Sequence, residues 1–218
     1  MLRALPRQAR RFSTDRRAIA ALEFAIIAPF FFLIFIGTFE LLLLMRTSEK
    51  LNSLAANVAQ MVASSSDANG DPITTANLGD ICTGAVQGLQ PLPANGLTID
   101  IVSMTITTPG TGAANTDDEW EYDFTGAGCT GAASGTLGAS TACTLISNGG
   151  SGGMLPTTGG AKGDNAIVVR ATLTYPGMVS FWLKTIPTLT QTAYSRWYHG
   201  ESGTELTVTG DPAASKSC

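Results

Sequence analysis

The sequence predicts an α+β protein. A long N-terminal helix, transmembrane in its first half and amphipathic in its second, packs on a small antiparallel sheet, with a Gly-rich disulfide-closed loop beside it. Three observations predict this. An apolar run fills Ile19 to Met45, a one-faced helical pattern follows from Leu51 to Val62, and short β-branched segments alternate with turn formers after Pro72.

At 218 residues the chain has room for one ordinary domain and an anchor. Residues 1–18 read as a basic cytoplasmic leader, 19–45 as a transmembrane helix, 46–63 as its amphipathic extension and 64–218 as a periplasmic or extracellular α+β domain. Charge supports this order. Six arginines (Arg3, Arg7, Arg10, Arg11, Arg16, Arg17) face one acid, Asp15, before Ile19, whereas five Lys or Arg face thirteen Asp or Glu from Ser64 onward. A basic end that stays in the cytoplasm beside an apolar span obeys the positive-inside rule. A basic tail can also bind nucleic acid, but one that abuts a lipid-crossing segment is read as a topology signal, and no nucleic-acid partner is expected.

Ile19 to Met45 is interrupted only by Glu23, Pro29, Gly37, Thr38 and Glu40. These 27 residues extend about 40 Å as a helix, more than the roughly 30 Å hydrocarbon core requires. A cleavable secretory signal has a shorter apolar core of about 7–15 residues. Leu51, Leu54, Ala55, Val58, Met61 and Val62 then recur on one helical face. With no Pro or Gly between Thr38 and Ala63, the span and its extension form one helix. "SSSDANGDP", residues 64–72, ends it with turn formers.

Thr75 to Leu89 is a second, short helix with Leu78, Ile81, Cys82, Val86 and Leu89 on one side. Strands are predicted at Leu97–Thr107, Ala166–Tyr175 and Thr188–Tyr198, with an apolar patch at Phe181–Ile186 after a Pro176–Gly177 turn. Thr108 to Gly163 is rich in Gly, Ser, Thr and Ala, and its acidic aromatic patch "DDEWEYDF" reads as a solvated loop. The sharper alternative for that patch is a contact for a basic partner, anchored by Trp120 and Tyr122.

All four cysteines follow the span, on the side where disulfides persist. Cys82, Cys129, Cys143 and Cys218 allow three pairings. Nearness in sequence favours Cys129 with Cys143, closing the Gly-rich loop and leaving Cys82 with Cys218; Cys218 left free is the alternative.

Little in the chain suits catalysis. His199 is the single histidine, and there is no G-x-S-x-G elbow, phosphate-binding loop or dinucleotide fingerprint. The cysteine spacings do not match a zinc site. Asp67, Asn69 and Asp71 imitate the start of a calcium loop, but Pro72 stands where Gly is needed and Leu78 where the bidentate Glu belongs. No enzyme, metal or cofactor is expected.

One stretch is more specific. In "AIAALEFAIIAP", Ala18, Glu23, Phe24 and Pro29 resemble the motif that opens TadE/TadF-like minor pseudopilins of tight-adherence (Tad, or Flp-type) pilus systems. "ATLTYP", Ala171 to Pro176, also looks like a strand that the family carries near its end. The resemblance implies a pilin-like shape and processing by a prepilin peptidase, an aspartate protease of the inner membrane. It implies a cut between Ala18 and Ile19, making Glu23 mature residue five, although the family usually has Gly where Ala18 stands. The implied partners are that peptidase, other pilins and pseudopilins, the inner-membrane pilus platform and the lipid bilayer. The implied place is the bacterial inner membrane, single-pass with the N-terminus cytoplasmic, and on assembly the extracellular pilus.

In that setting the Glu23 carboxylate of one subunit can pair with the new Ile19 amine of a neighbour, so that two costly charges cancel. The alternative is an uncleaved single-pass protein that scaffolds the machinery from the periplasmic side. Glu23 and Glu40 are 17 residues apart, about 26 Å along a helix. Each could then sit near one membrane interface at small cost.

Overall fold

The computed structural model describes residues 16–65, 73–106, 116–133, 165–175, 177, 187–196, 208–209 and 216–217. Helix α1, Arg16–Ser64, is a single 49-residue element that runs through Pro29. It is long and apolar enough to cross a membrane, with a mean hydropathy of 2.4 over its most apolar stretch. Strand β1 (Ile73–Thr74) leads into helix α2 (Thr75–Leu89). Thr74 caps α2 by accepting the Asn77 N–H at 3.1 Å, which satisfies one of the free donors of the first turn.

The strands that follow are β2 (Leu97–Ile106), β3 (Thr116–Thr125), β4 (Thr130–Ala133), β5 (Asn165–Thr174), β6 (Thr188–Arg196), β7 (Val208–Thr209) and β8 (Lys216–Ser217). Six of them form one antiparallel sheet in the order β4-β3-β2-β5-β6, with β8 paired to β3, while β1 and β7 pair separately in parallel. The expected α+β architecture holds, a long helix on a small antiparallel sheet. The number of strands is larger than the three expected.

The additional strands correct the reading of the Gly-rich region. "DDEWEYDF" is not a solvated loop but part of β3, paired along its length with β2. Trp120 is 2% exposed and belongs to the core, so it cannot anchor an external partner. Alternation explains the strand: Trp120, Tyr122 and Phe124 share one face, and Glu121 and Asp123 occupy the other. Gly131 on β4 lies under the Tyr122 and Phe124 rings. A Cβ there would come within 2.5 Å of Tyr122 and 2.7 Å of Phe124, so glycine permits the close approach.

The core forms where the second half of α1 meets α2 and the sheet. Leu51, Leu54, Ala55, Val58, Ala59, Val62 and Ala63 pack with Leu78, Cys82, Ala85 and Leu89 of α2. Ile99, Ile101, Ile167, Val169, Ala171 and Leu173 complete it from the sheet. Met61 falls at the edge of the stripe and stays exposed, its place taken by Ala59 and Ala63.

The disulfide pairing expected from sequence proximity is also corrected. Cys82 of α2 bonds to Cys129 in the β3–β4 turn, with Cα atoms 5.9 Å apart and 47 residues between them. The β3–β4 hairpin carries its turn back to the buried side of α2, which sequence distance alone does not reveal. In the chain-entropy account a loop of this size stabilises by roughly 4 kcal/mol. Cys143, Cys218, His199, the Asp67–Asp71 turn and the Phe181–Ile186 patch lie outside the described residues.

Candidate functional site: the exposed apolar half of α1 and its junction with the domain

The motif residues lie on one helix. Ala18 and Ile19 fall within the first turn of α1, where the N–H groups have no intrahelical acceptors and the backbone opens at small cost. Glu23 and Phe24 lie on the next turn and are exposed, Phe24 by 71%. Pro29 removes one helical donor, so the Ala25 carbonyl loses its usual N–H.

From Leu22 to Met45, fifteen large apolar side chains are exposed, including the unbroken run Phe30 to Ile36. Seven consecutive positions cover every direction around a helix of 3.6 residues per turn. An all-round apolar surface belongs to a helix buried in a large core or in lipid. Thr38 does not interrupt it, because its hydroxyl donates to the Ile34 carbonyl at 2.8 Å.

Above this surface α1 changes partners within two turns. The turn after β5 brings Gly177 against the Glu40 carboxylate. A Cβ on Gly177 would overlap the end of that carboxylate and would come within 2.7 Å of the Tyr175 ring, so a side chain there would make both ends shift. Burial, aided by the nearby Glu40 charge, pushes the Tyr175 phenol above its ordinary 10.0. The Tyr175 N–H donates to the Pro187 carbonyl at 3.0 Å, closing the same corner of the sheet. Two to three turns further along, Gln191 of β6 donates to Ser48 at 3.0 Å and the Lys50 ammonium donates to the Gln90 carbonyl at 2.6 Å. Thr47, nearly buried, returns its hydroxyl to the Leu43 carbonyl. Polar contacts thus mark the place where α1 leaves its exposed apolar stretch and enters the core.

A charged group lies on the sheet face turned away from α1. Asp100 and Asp123 are directly opposite each other on β2 and β3, and Arg170 is opposite Asp100 on β5. The Arg170 guanidinium binds Asp100 Oδ2 at 2.8 Å. Asp100 Oδ1 and Asp123 Oδ1 are buried and accept no hydrogen bond from the described residues. Burial pushes the Asp100 carboxyl above its ordinary 3.8, the Arg170 hydrogen bond opposes the rise and the Asp123 charge adds to it. Val102, Met104 and Val168 are fully buried on this face as well, so part of it is also out of water.

Of the residues expected to matter, Cys82 and Cys129 are brought together, and Ala18, Ile19, Glu23, Phe24 and Pro29 are placed in line on the exposed half of α1. Sequence reasoning missed the Glu40–Gly177 junction and the Asp100–Arg170 pair. The second had a signal: Asp100 in "LTIDIVSM" and Arg170 in "AIVVRATLTY" are lone charges inside apolar strands. Buried charges are seldom retained without a partner.

No curated protein and no solved structure matches the chain. Residues 18–60 match the family model described as TadE-like protein. That match runs from the motif through the exposed apolar stretch into the packed half of the helix, and on it this chain carries a TadE-like segment.

Proposed function

We propose that this protein is a minor pseudopilin of a Tad-type pilus, inserted in the inner membrane by α1, cleaved before Ile19 and incorporated with other pilins. The observation that carries this reading is the exposed, all-round apolar stretch of α1, which bears Glu23 at its N-terminal end within the TadE-like segment. In lipid a helix satisfies its own backbone polar groups, so this stretch needs no protein cover before assembly. Its exposed side chains then become the packing surface for neighbouring helices in a filament.

Glu23 supplies the switch between these two states. Cleavage places a cationic amine on Ile19, one turn below Glu23. Pairing this amine with the carboxylate of a neighbouring subunit compensates both charges when the helices leave lipid headgroups and water. A subunit missing one member of such a pair leaves the other buried and uncompensated, at a cost of about 3–5 kcal/mol. The other partners in this proposal are the prepilin peptidase and the inner-membrane assembly platform. The domain beyond α1 lies on the periplasmic side, and the protein performs no catalysis.

The test is the intact mass of the chain extracted from membranes of cells with and without the peptidase. The expected result is a mature N-terminus at Ile19 that depends on the peptidase. An intact leader in piliated cells would contradict the proposal and favour an uncleaved periplasmic scaffold.

A further inference from the structure

Cys82 and Cys129 enter their bond from unequal surroundings. Cys82 is 2% exposed and shares the buried face of α2 with Leu78, Ala85 and Leu89. Cys129 is half-buried against the core, in a turn where Ala127, Gly128 and Thr130 are exposed. A Cβ on Gly128 would meet nothing within 4 Å, so that flank of the turn is open. The turn is held by its own backbone. The Gly126 N–H donates to the Leu97 carbonyl at 2.8 Å, and the Cys129 N–H donates to the Gly126 carbonyl at 3.3 Å. Cys129 has a φ of 47°, in the left-handed region that glycine ordinarily takes. In a turn that already uses Gly126 and Gly128, a cysteine at this position serves its sulfur and not the backbone.

We propose that Cys129 is the entry point for the external disulfide that oxidises this pair, that Cys82 closes the bond, and that burial of Cys82 then makes it a one-way latch. The Cys129 thiolate attacks one sulfur of an external disulfide, R–S–S–R, and expels R–S⁻, leaving a mixed disulfide on Cys129. The Cys82 thiolate attacks Cys129 Sγ and expels the second R–S⁻. Two thiols of the chain are oxidised, the external disulfide is reduced to two R–SH, and the two thiol protons end on those products.

The order follows from access, on which exchange rates depend. An external disulfide meets Cys129 at the surface of the turn, whereas it meets Cys82 only if α2 lifts from the core. The same burial opposes reversal. A thiol that opens the bond at Cys129 must expel Cys82 as a thiolate, and apolar surroundings disfavour a thiolate. The latch has a mechanical consequence as well. α2 packs chiefly on α1, and the bond ties it to the β3–β4 turn of the sheet. This proposal stands apart from the pilus reading and needs only a compartment in which disulfides persist.

The experiment uses the full chain in detergent with oxidised glutathione as the probe. Adducts are assigned by peptide mass, which separates them from Cys143 and Cys218. In folded Cys82→Ser, verified by the near-ultraviolet signal of Trp120, glutathione is expected on Cys129. In folded Cys129→Ser, loading of Cys82 is expected to be lost until urea unfolds the chain. Loading of Cys82 as ready as that of Cys129, or none at Cys129, would overturn the entry assignment. The wild-type chain gives the same reading without substitutions, when it is reduced in urea and returned to native buffer before the oxidant is added. Samples quenched with acid are expected to carry transient glutathione on Cys129, and glutathione on Cys82 instead would overturn the assignment. Dithiothreitol is expected to leave the bond intact in the folded wild-type chain and to reduce it in urea. Reduction of the folded chain as fast as in urea would overturn the one-way latch.

Discussion

The two halves of α1 are built from similar residues and live in different surroundings. Leu33, in the lower half, is 69% exposed, whereas Leu51, in the upper half, is fully buried under the sheet and α2. The acids differ in the same way. Glu23 projects from a surface of exposed apolar side chains, and Glu40 meets the backbone of the Tyr175–Gly177 turn. An apolar helix face acquires meaning only from what covers it. The upper half is covered by its own chain and contributes to folding; the lower half is left exposed, and the proposed function gives it to lipid and to other subunits.

The sharpest way to break this comparison is to make the same substitution in both halves. Leu51→Ala should lower the stability of the domain by about 3 kcal/mol, the cost of a cavity in a packed core. Leu33→Ala should leave it unchanged, since that side chain is largely exposed. Urea midpoints of detergent-solubilised chains, followed by the near-ultraviolet signal of the buried Trp120, measure both. A loss at Leu33 equal to that at Leu51 would mean that the lower half also contributes to the fold.

A smaller effect separates the two faces of the sheet. The Asp100 carboxyl titrates above its ordinary 3.8 in the folded protein, chiefly because it is buried. The folded state therefore binds more protons than the unfolded chain between 3.8 and that raised value. The stability from this group is complete below 3.8 and falls as pH rises through the window. Asp100→Asn should flatten that part of the profile in urea midpoints taken from acid to neutral pH. An unchanged slope would show that another group causes it.

Legibility in the sequence followed the range of the interactions. The helices and three of the strands depend on local period and composition, so α1, α2, β2, β5 and β6 were readable within a few residues. The motif from Ala18 to Pro29 was readable for the same reason, as a short pattern at fixed spacing. β3 was hidden because its alternating acids are those of a solvated loop until β2 pairs with them and Arg170 lies across from Asp100. The Cys82–Cys129 bond was hidden because it follows from the β3–β4 hairpin and the docking of α2. Glu40 could be seen as an interruption of the apolar run, but not as the seat of a turn that arrives from residue 177.

The central claim is that Glu23 serves assembly and not anchoring alone, and Glu23→Gln tests it most directly. The variant should insert in the inner membrane at the wild-type level, keep its domain folded and be lost from sheared pilus fractions. Glu23→Gln recovered from those fractions in the wild-type proportion would contradict the claim and leave α1 as a membrane anchor alone.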